Sequence, residues 1–215
     1  MLRTKGYSDK SSLKLIGDHF ALTQRQRTAV MRSSCSDQEL TTRRKKQLTF
    51  DDLKNQHLLI DGYNIITTIE AALAGGVILI CRDGCLRDLA SIHGTFRKVN
   101  ETAPALELIS KFLSQAKINT AKWLLDKPVS NSGRLKILIQ QIAQKNNSSW
   151  PVELAYNPDE ILVGAPEITI TADSIVLNRC GRWFNLTAAV VEKFIPDANI
   201  INLTPEPPNC IDNGK

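Results

Sequence analysis

Three short apolar segments of the chain each end in an aspartate. The segments read HLLID, WLLD and EITITAD, and their last residues are Asp61, Asp126 and Asp173. Runs of this length and composition are typical of buried strands. Because parallel strands present their carboxyl ends at one edge of a sheet, the three carboxylates can converge although they are far apart in sequence.

Converging carboxylates have a specific chemistry. Like charges at short range raise each other's pKa, and a divalent cation relieves that repulsion. Mg²⁺ or Mn²⁺ binds carboxylate oxygens and waters, and helps a bound water attack a phosphodiester. One such aspartate alone is more simply explained as the cap of the following helix. The three together predict a metal site, with Asp61, Asp126 and Asp173 as ligands and catalytic residues.

Asn64 and Asp88 extend this candidate site. Asn64 follows Asp61 by three residues, on the first turn of the expected helix, where its amide can reach a metal-bound water or a phosphate. The simpler interpretation of Asn64 is a hydrogen bond at the helix start. Asp88 lies in a helix expected over CLRDLASIHG and is the candidate for a fourth metal ligand. The alternative for Asp88 is an ion pair with Arg82 or Arg87.

Two other segments supply candidates. The polar loop DKPVSNSGR leads into a helix, and its Ser130 and Arg134 are predicted to bind a phosphate together with backbone N–H groups. The alternative is that Ser132 caps this helix and Arg134 is a surface residue. His93 is a candidate catalytic residue, although a lone histidine is more often structural.

The basic residues are concentrated near the N-terminus. Residues 1–47 contain eleven Lys/Arg against four Asp/Glu, whereas the remaining chain is slightly acidic. This contrast predicts two parts with different roles: a basic helical segment with a linker at residues 1–47, and an α/β domain at residues 48–215.

The basic segment is expected to contain two short helices. Ser8 or Asp9 would cap the first, which Gly17 would end, and Thr23 would cap the second. Two such helices around a turn are typical of a helix-turn-helix that contacts nucleic acid, and a helical hairpin packed on its neighbour is the alternative.

The candidates for nucleic-acid contact lie in the second helix and in the stretch after it. That stretch, SSCSDQELTTRRKKQ, is expected to be a linker or a short exposed helix. Basic runs are often merely solvated, and binding to phosphate is the functional alternative. The candidate residues are Arg25, Arg32, Arg43, Arg44, Lys45 and Lys46.

Strand-like and helix-like segments alternate through the rest of the chain. This alternation predicts an α/β fold with a mainly parallel sheet flanked by helices. Besides the three aspartate-ended segments, the expected strands are VILIC, VELAY and NIINL. The expected helices are NIITTIEAALAGG, CLRDLASIHG, APALELISKFLSQA, SGRLKILIQQIAQK and TAAVVEKFI.

Composition and missing motifs exclude several classes of protein. The 215 residues contain no apolar stretch of the roughly 18 to 20 residues that cross a bilayer, and the N-terminus lacks a signal-peptide pattern, so a cytoplasmic protein is expected. Five scattered cysteines form neither a disulfide framework nor a zinc motif. No GxxxxGK[ST] or GxGxxG pattern occurs. Tyr63 occupies the position where a haloacid-dehalogenase-type phosphatase needs its second aspartate.

The segment LLIDGYNII resembles the first strand of the PIN-like superfamily, particularly its NYN branch. WLLD is similar to the second acidic strand end of that branch, and ITITADSIVL is similar to its final strand. The resemblance covers roughly residues 57–203. The whole layout, with IDGYN, RDGCLRDL and PVSNSGR after a basic helical piece, also resembles a two-part prokaryotic family known only as uncharacterised.

The PIN-like resemblance implies an Mg²⁺- or Mn²⁺-dependent endoribonuclease acting on RNA. It implies that Asp61, Asp126 and Asp173 are metal-site acids, with Asn64 and Thr171 as supporting polar groups. Many relatives have a second acid after the last acidic strand, and this chain has IVLNR after Ser174 instead. The alternative is a catalytically silent PIN-like protein that binds nucleic acid or regulates. The sequence is also compatible with a homo-oligomer.

Overall fold

A computed structural model describes residues 1–89 and 99–204. These residues form the strands β1 (His57–Asp61), β2 (Ile78–Ile80), β3 (Leu86–Asp88), β4 (Thr120–Asp126), β5 (Val152–Ala155), β6 (Ile168–Ile170) and β7 (Ile200–Asn202). They also form the helices α1 (Asp9–His19), α2 (Gln24–Ser33), α3 (Asp37–Lys46), α4 (Gly62–Leu73), α5 (Thr102–Ala116), α6 (Ser132–Lys145), α7 (Pro158–Gly164), α8 (Ser174–Arg179) and α9 (Leu186–Phe194).

The main sheet has four parallel strands in the order β5-β4-β1-β6. Alternating strands and helices produce this arrangement because each parallel connection needs a crossover, and the crossover helices cover the sheet. In the register of β1, Asp61 lies opposite Leu124 of β4, and Ile60 lies opposite Ile170 of β6. The predicted α/β fold with a parallel sheet is therefore confirmed.

A second, three-stranded sheet has the order β3-β2-β7. Strands β2 and β3 are antiparallel, while β2 and β7 are parallel. The predicted strands VILIC and NIINL belong to this sheet rather than to the main one. The prediction of a helix from Cys85 was wrong over Leu86–Asp88, because a turn at Asp83 and Gly84 folds this segment back onto β2. The end of that predicted helix, with His93, lies outside the described residues.

The core is built from the buried faces of β1 and β4 and from the helices that cover them. Leu58, Ile60 and Trp123 are almost completely buried there. Helix α4 ends at Leu73 as expected, since Gly75 adopts a left-handed conformation with φ of 72°. In the described part of the chain, no helix combines the length and apolarity required to span a bilayer.

The N-terminal segment contains α1, α2 and α3. Ser8 caps α1, and Thr23 forms a capping box with Gln26 at the start of α2, as their sequences predict. Gly17 does not end α1, which continues to His19. Instead, the guanidinium group of Arg27 packs on Gly17, where an added Cβ would lie only 2.1 Å from Arg27 Nη1.

Helix α3 is attached to the α/β part of the molecule, and it is not an exposed linker. Arg43 is 1% exposed, donates to Asn178 Oδ1 at 2.8 Å and forms an ion pair with Asp83. Its carbonyl accepts a hydrogen bond from Trp183 Nε1 at 2.8 Å. The prediction that Arg43 contacts nucleic acid was therefore wrong, because its guanidinium group is enclosed by these partners. Arg44 is exposed.

Candidate active site

Asp61 lies at the carboxyl end of the central strand, but its side chain does not cap α4. Its Oδ2 atom accepts hydrogen bonds from Asn64 Nδ2 at 2.5 Å and from Thr171 Oγ1 at 2.7 Å. Thr171 directly follows β6, the neighbour of β1. Two elements that are remote in sequence therefore hold one carboxylate, and the simple explanation of Asp61 as a helix cap does not apply.

Gly62 allows α4 to begin immediately after Asp61. A Cβ at this position would lie 2.5 Å from Leu125 Cδ2 and 3.0 Å from the carbonyl oxygen of Leu124. Only glycine leaves room for this approach between the start of α4 and β4. The close approach fixes the first turn of α4, and with it Asn64, beside the strand end.

The carboxyl group of Asp61 is 5% exposed, and its pKa is raised to about 7. Burial is the main cause, because desolvation disfavours the charged form. The hydrogen bonds from Thr171 and Asn64 act in the opposite direction, and the negative charges of Asp173 and Asp159 raise the pKa further. When Asp61 loses its proton, the neighbours that act most strongly on it therefore leave its negative charge unbalanced.

Asp173 combines a structural contact with this electrostatic effect. Its Oδ1 atom accepts hydrogen bonds from the backbone N–H groups of Ile175 at 2.8 Å and Val176 at 3.0 Å, which caps α8. The cap interpretation therefore holds for Asp173. Thr171 Oγ1 accepts a hydrogen bond from the Asp173 N–H at 3.0 Å, so the same hydroxyl contacts both predicted acids.

Asp126 and Asp159 complete the group of acids at this end of the sheet. Asp126 ends β4, and burial raises its pKa. Asp159 lies in the first turn of α7, just after β5, and its pKa is raised by burial and then by the charges of Asp173 and Asp126. Sequence reasoning missed Asp159, although NPDE directly follows the predicted strand VELAY. We refer to Asp61, Asp126, Asp159 and Asp173 as the acidic edge.

The acidic edge suits a hard divalent cation, because such cations prefer oxygen ligands. Its carboxylates offer oxygen atoms, and so do the amide of Asn64 and the hydroxyl of Thr171 beside them. Within residues 1–89 and 99–204, no three His, Cys, Asp or Glu side chains lie close enough to hold a metal ion together. Mg²⁺ commonly binds through one or two carboxylates and completes its coordination with water. The acidic edge is therefore compatible with a cation that binds one or two carboxylates directly.

Asp88 lies apart from the acidic edge, on β3 of the second sheet. Its Oδ2 atom accepts a hydrogen bond from Thr68 Oγ1 at 2.9 Å, and its Oδ1 atom lies 4.0 Å from Arg32 Nη1. Asp88 is not among the carboxylates whose charges act most strongly on Asp61. Its sequence-based role as a fourth metal ligand gains no geometric support from these contacts.

The loop before α6 supports the end of β4. Ser132 is the first residue of α6, and Asn131 occupies the cap position with φ of 71°, so the expected capping by Ser132 was wrong. The Ser132 hydroxyl donates to the carbonyl oxygen of Asp126 at 2.6 Å and lies 2.7 Å from the hydroxyl of Tyr63. Ser130 and Arg134 are exposed beside this contact.

The remaining basic candidates differ in their surroundings. Arg25 on α2 and Lys45 on α3 are exposed. Arg32 is partly buried, with 29% of its side chain exposed. Lys46 donates from Nζ to the carbonyl oxygen of Asn178 at 3.0 Å, which holds it against α8.

A second buried carboxylate, Asp83, lies between two arginines. Arg87 donates to both of its oxygens, at 2.9 Å and 2.8 Å, and Arg43 pairs with it from α3. Burial opposes the ionisation of Asp83, but the hydrogen bonds and charge of Arg87, with the charge of Arg43, hold its pKa below the ordinary value. We refer to Arg43, Asp83 and Arg87 as the buried ion cluster.

The chain belongs to the family described as Domain of unknown function (DUF5616), whose model matches residues 50–189. Residues 1–46 match the model described as Protein of unknown function (DUF434). The chain is also similar to the Uncharacterized protein MJ0935 of Methanocaldococcus jannaschii, with 28% identity over 177 residues that cover 82% of this chain and 84% of that relative. No solved structure matches the chain.

Proposed function

We propose that this protein is a divalent-metal-dependent endoribonuclease of the PIN-like type, which hydrolyses phosphodiester bonds in RNA at the acidic edge. The observation that carries the proposal is Asp61, a buried carboxylate at a strand end that accepts hydrogen bonds from two neutral donors and is acted on by the charges of Asp173 and Asp159. Perturbed carboxyl groups of this kind are characteristic of functional sites. The resemblance of LLIDGYNII to PIN-like strands supports the same activity.

In this proposal Asp61 and Asp173 would hold Mg²⁺ or Mn²⁺, and Asp126 and Asp159 would add negative charge at the same edge of the sheet. When bound, the cation would supply the positive charge that balances the carboxylates, and it would lower the pKa of a water molecule. Thr171 and Asn64 hold one oxygen of Asp61 in a fixed position by their hydrogen bonds.

RNA is the proposed partner because the exposed basic side chains can contact a phosphate backbone. They lie on α2, on α3 and at the start of α6, and each phosphate that they neutralise releases counterions. The cytoplasm is the compartment in which this activity is proposed. The residues in question are Arg25, Arg44, Lys45 and Arg134.

A second candidate function is an RNA-binding or regulatory protein whose PIN-like fold is catalytically silent. One observation favours it: Asp173 already uses Oδ1 to cap α8, so the carboxylate has a structural task without metal. In this case the acidic edge would be a structural feature, and the basic side chains alone would carry the function.

Metal binding and cleavage distinguish the two candidates. The double variant Asp61→Asn/Asp173→Asn should be compared with Asp51→Asn/Asp197→Asn, which removes two exposed carboxylates elsewhere. Thermal unfolding is followed during titration with MnCl₂, and a mixed RNA pool is incubated with Mn²⁺ or with chelator. The nuclease proposal expects Mn²⁺ to raise the Tm of the wild type and of the control variant but not that of Asp61→Asn/Asp173→Asn.

Cleavage should follow the same pattern and stop in chelator. The nuclease proposal is wrong if the wild type cuts no RNA and Mn²⁺ leaves its Tm unchanged. RNA binding without cleavage, together with a higher Tm of the Asp61→Asn/Asp173→Asn variant with or without metal, would establish the silent protein instead.

A further inference from the structure

A cavity of about 350 Å³ separates the N-terminal helices from the acidic edge. One side of the cavity comes from α2, through Met31 and Arg32. The other side comes from Asn64 and Thr68 on α4 and from Asp173. The cavity is therefore formed jointly by the two parts of the chain, and it adjoins the residues that surround Asp61.

Charged side chains of both signs line this cavity. Arg3, Arg32 and Arg87 are its cations, and Asp9 and Asp173 are its carboxylates. Of the three arginine side chains, Arg32 is the most exposed, at 29%, and its Nη1 lies 4.0 Å from Asp88 Oδ1. The side chains of Arg3 and Arg87 are 17% and 6% exposed, and they pair with Asp9 at 2.7 Å and with Asp83 at 2.8 Å.

Arg87 fixes the position of Arg32 relative to Asp173. Its Nε atom donates to the carbonyl oxygen of Ala172 at 2.8 Å, and its Nη1 atom donates to the carbonyl oxygen of Arg32 at 3.2 Å. One buried guanidinium group thus joins the backbone beside Asp173 to the end of α2. Asp83 holds Arg87 in turn, so the separation between Arg32 and the acidic edge is set by buried contacts.

We propose that this cavity receives a phosphate group of the RNA chain and that Arg32 is the side chain that binds it. This inference rests on the proposed function and extends it, because the N-terminal segment then completes the substrate site. A guanidinium group presents paired N–H donors that match two phosphate oxygens. A phosphate beside an acidic site also needs a cation to offset repulsion from the carboxylates, and Arg32 is the most exposed of the described arginines that line the cavity.

The test measures binding of a fluorescently labelled single-stranded RNA oligonucleotide in chelator, and its cleavage with Mn²⁺. Arg32→Gln is expected to raise the Kd, and the KM of cleavage, by about tenfold, because charge-assisted hydrogen bonds to phosphate are lost. The slope of log Kd against the logarithm of the salt concentration should fall by about one, which corresponds to the loss of one phosphate contact. The turnover number should change much less than KM.

Lys14→Gln is the matched control, since it removes one exposed positive charge from α1 of the same segment. It should change Kd by less than about twofold if the effect of Arg32 is local. Equal losses in Arg32→Gln and Lys14→Gln would mean diffuse attraction and would overturn the proposal. The double variant Arg32→Gln/Asp88→Asn removes both members of the ion pair between α2 and β3 and serves if Arg32→Gln folds poorly.

Normal RNA binding by Arg32→Gln/Asp88→Asn would also overturn the proposal.

The outcomes of these experiments distinguish a failure of the phosphate-binding cavity from a failure of the nuclease function on which it rests. If the wild type cuts RNA and Arg32→Gln matches it in both Kd and KM, the phosphate cavity is wrong and the nuclease stands. If the wild type cuts no RNA but Arg32→Gln loses binding about tenfold, the nuclease is wrong and the phosphate cavity stands.

Discussion

Asp61 and Asp83 are both buried aspartates, and their environments have opposite effects. Asp83 lies between Arg43 and Arg87, and its pKa is lowered. Asp61 accepts hydrogen bonds from the neutral donors Asn64 and Thr171, and its pKa rises to about 7. Burial by itself therefore does not decide the charge of an aspartate, because the balance of neighbouring charges does. Asp83, whose charge is balanced by two arginines, joins parts of the fold. Asp61, whose charge is not balanced in this way, is suited to bind a cation.

Glu70 is a third buried carboxylate that can be compared with these two. Burial also raises its pKa to about 7, although Thr102 donates a hydrogen bond to it. It lies inside α4, and the charges of Glu101 and Asp88 raise its pKa further, so an uncompensated buried acid is not sufficient to mark a site. Asp61 differs from Glu70 because it ends the central strand of the main sheet, where Asp159 and Asp173 also act on it.

The largest effect is expected when the balanced carboxylate is removed. Asp83→Asn leaves Arg43 and Arg87 buried without their anion, and breaking a buried ion pair in this way typically costs about 3–5 kcal/mol of the free energy of unfolding. Denaturant unfolding measures this loss. Asp37→Asn is the control, because its pair with Arg82 is exposed and should contribute far less. A loss below that of the control would show that the buried ion cluster is not structural.

Removal of the unbalanced carboxylate should act in the opposite direction. The native state holds a proton on Asp61 up to about pH 7, whereas the unfolded chain loses it near pH 4. Wild-type stability therefore falls as pH rises between these values. Asp61→Asn avoids that fall, so in chelator it should be more stable than the wild type by about 1–3 kcal/mol at pH 8.

Denaturant unfolding at pH 4 and at pH 8 checks this expectation. The difference between the two proteins should nearly vanish at the lower pH, since Asp61 is neutral there in the native state and only about half ionised in the unfolded chain. If the Asp61→Asn variant were less stable than the wild type at pH 8, Asp61 would not carry an unbalanced charge in the native state. The same variant should lose Mn²⁺-dependent cleavage while remaining folded.

The smallest effect is expected from Thr171→Val. This substitution removes the donor to Asp61 and should lower the free energy of unfolding by about 1 kcal/mol at pH 8, with a smaller loss at pH 5, where Asp61 is neutral. Thr187→Val is the matched control, because the buried Thr187 hydroxyl has no hydrogen-bond partner within the described part of the chain and its removal should not destabilise. Equal losses in the two variants would contradict a specific role for the Thr171 hydroxyl.

Much of the main sheet could be predicted from the sequence, because buried parallel strands are continuous apolar runs. HLLID and WLLD fall on β1 and β4 for this reason. Leu86–Asp88 could not be predicted as a strand, since the segment is short and its pairing with β2 depends on a turn around Asp83. Tertiary pairing overrides local pattern in such cases.

The candidate site was only partly predictable. Asp61, Asn64 and Asp173 follow from their places at strand ends. Asp159 follows β5 by a short loop, so no apolar run ends in it. The burial of Arg43 was also invisible in the sequence, because its anion Asp83 is 40 positions away and lies in another element.

The hydrogen bond between Thr171 and Asp61 spans 110 positions of the chain. Both strands that flank β1 lie far downstream of it, so β1 has no partner in this sheet until β4 has been synthesised. Contacts of such separation form late because a long loop must first be closed. A growing chain therefore displays Asp61 well before Thr171 and Asp173 exist to surround it. Any RNA-cutting activity at the acidic edge would be absent from the nascent chain until Thr171 and Asp173 have been synthesised.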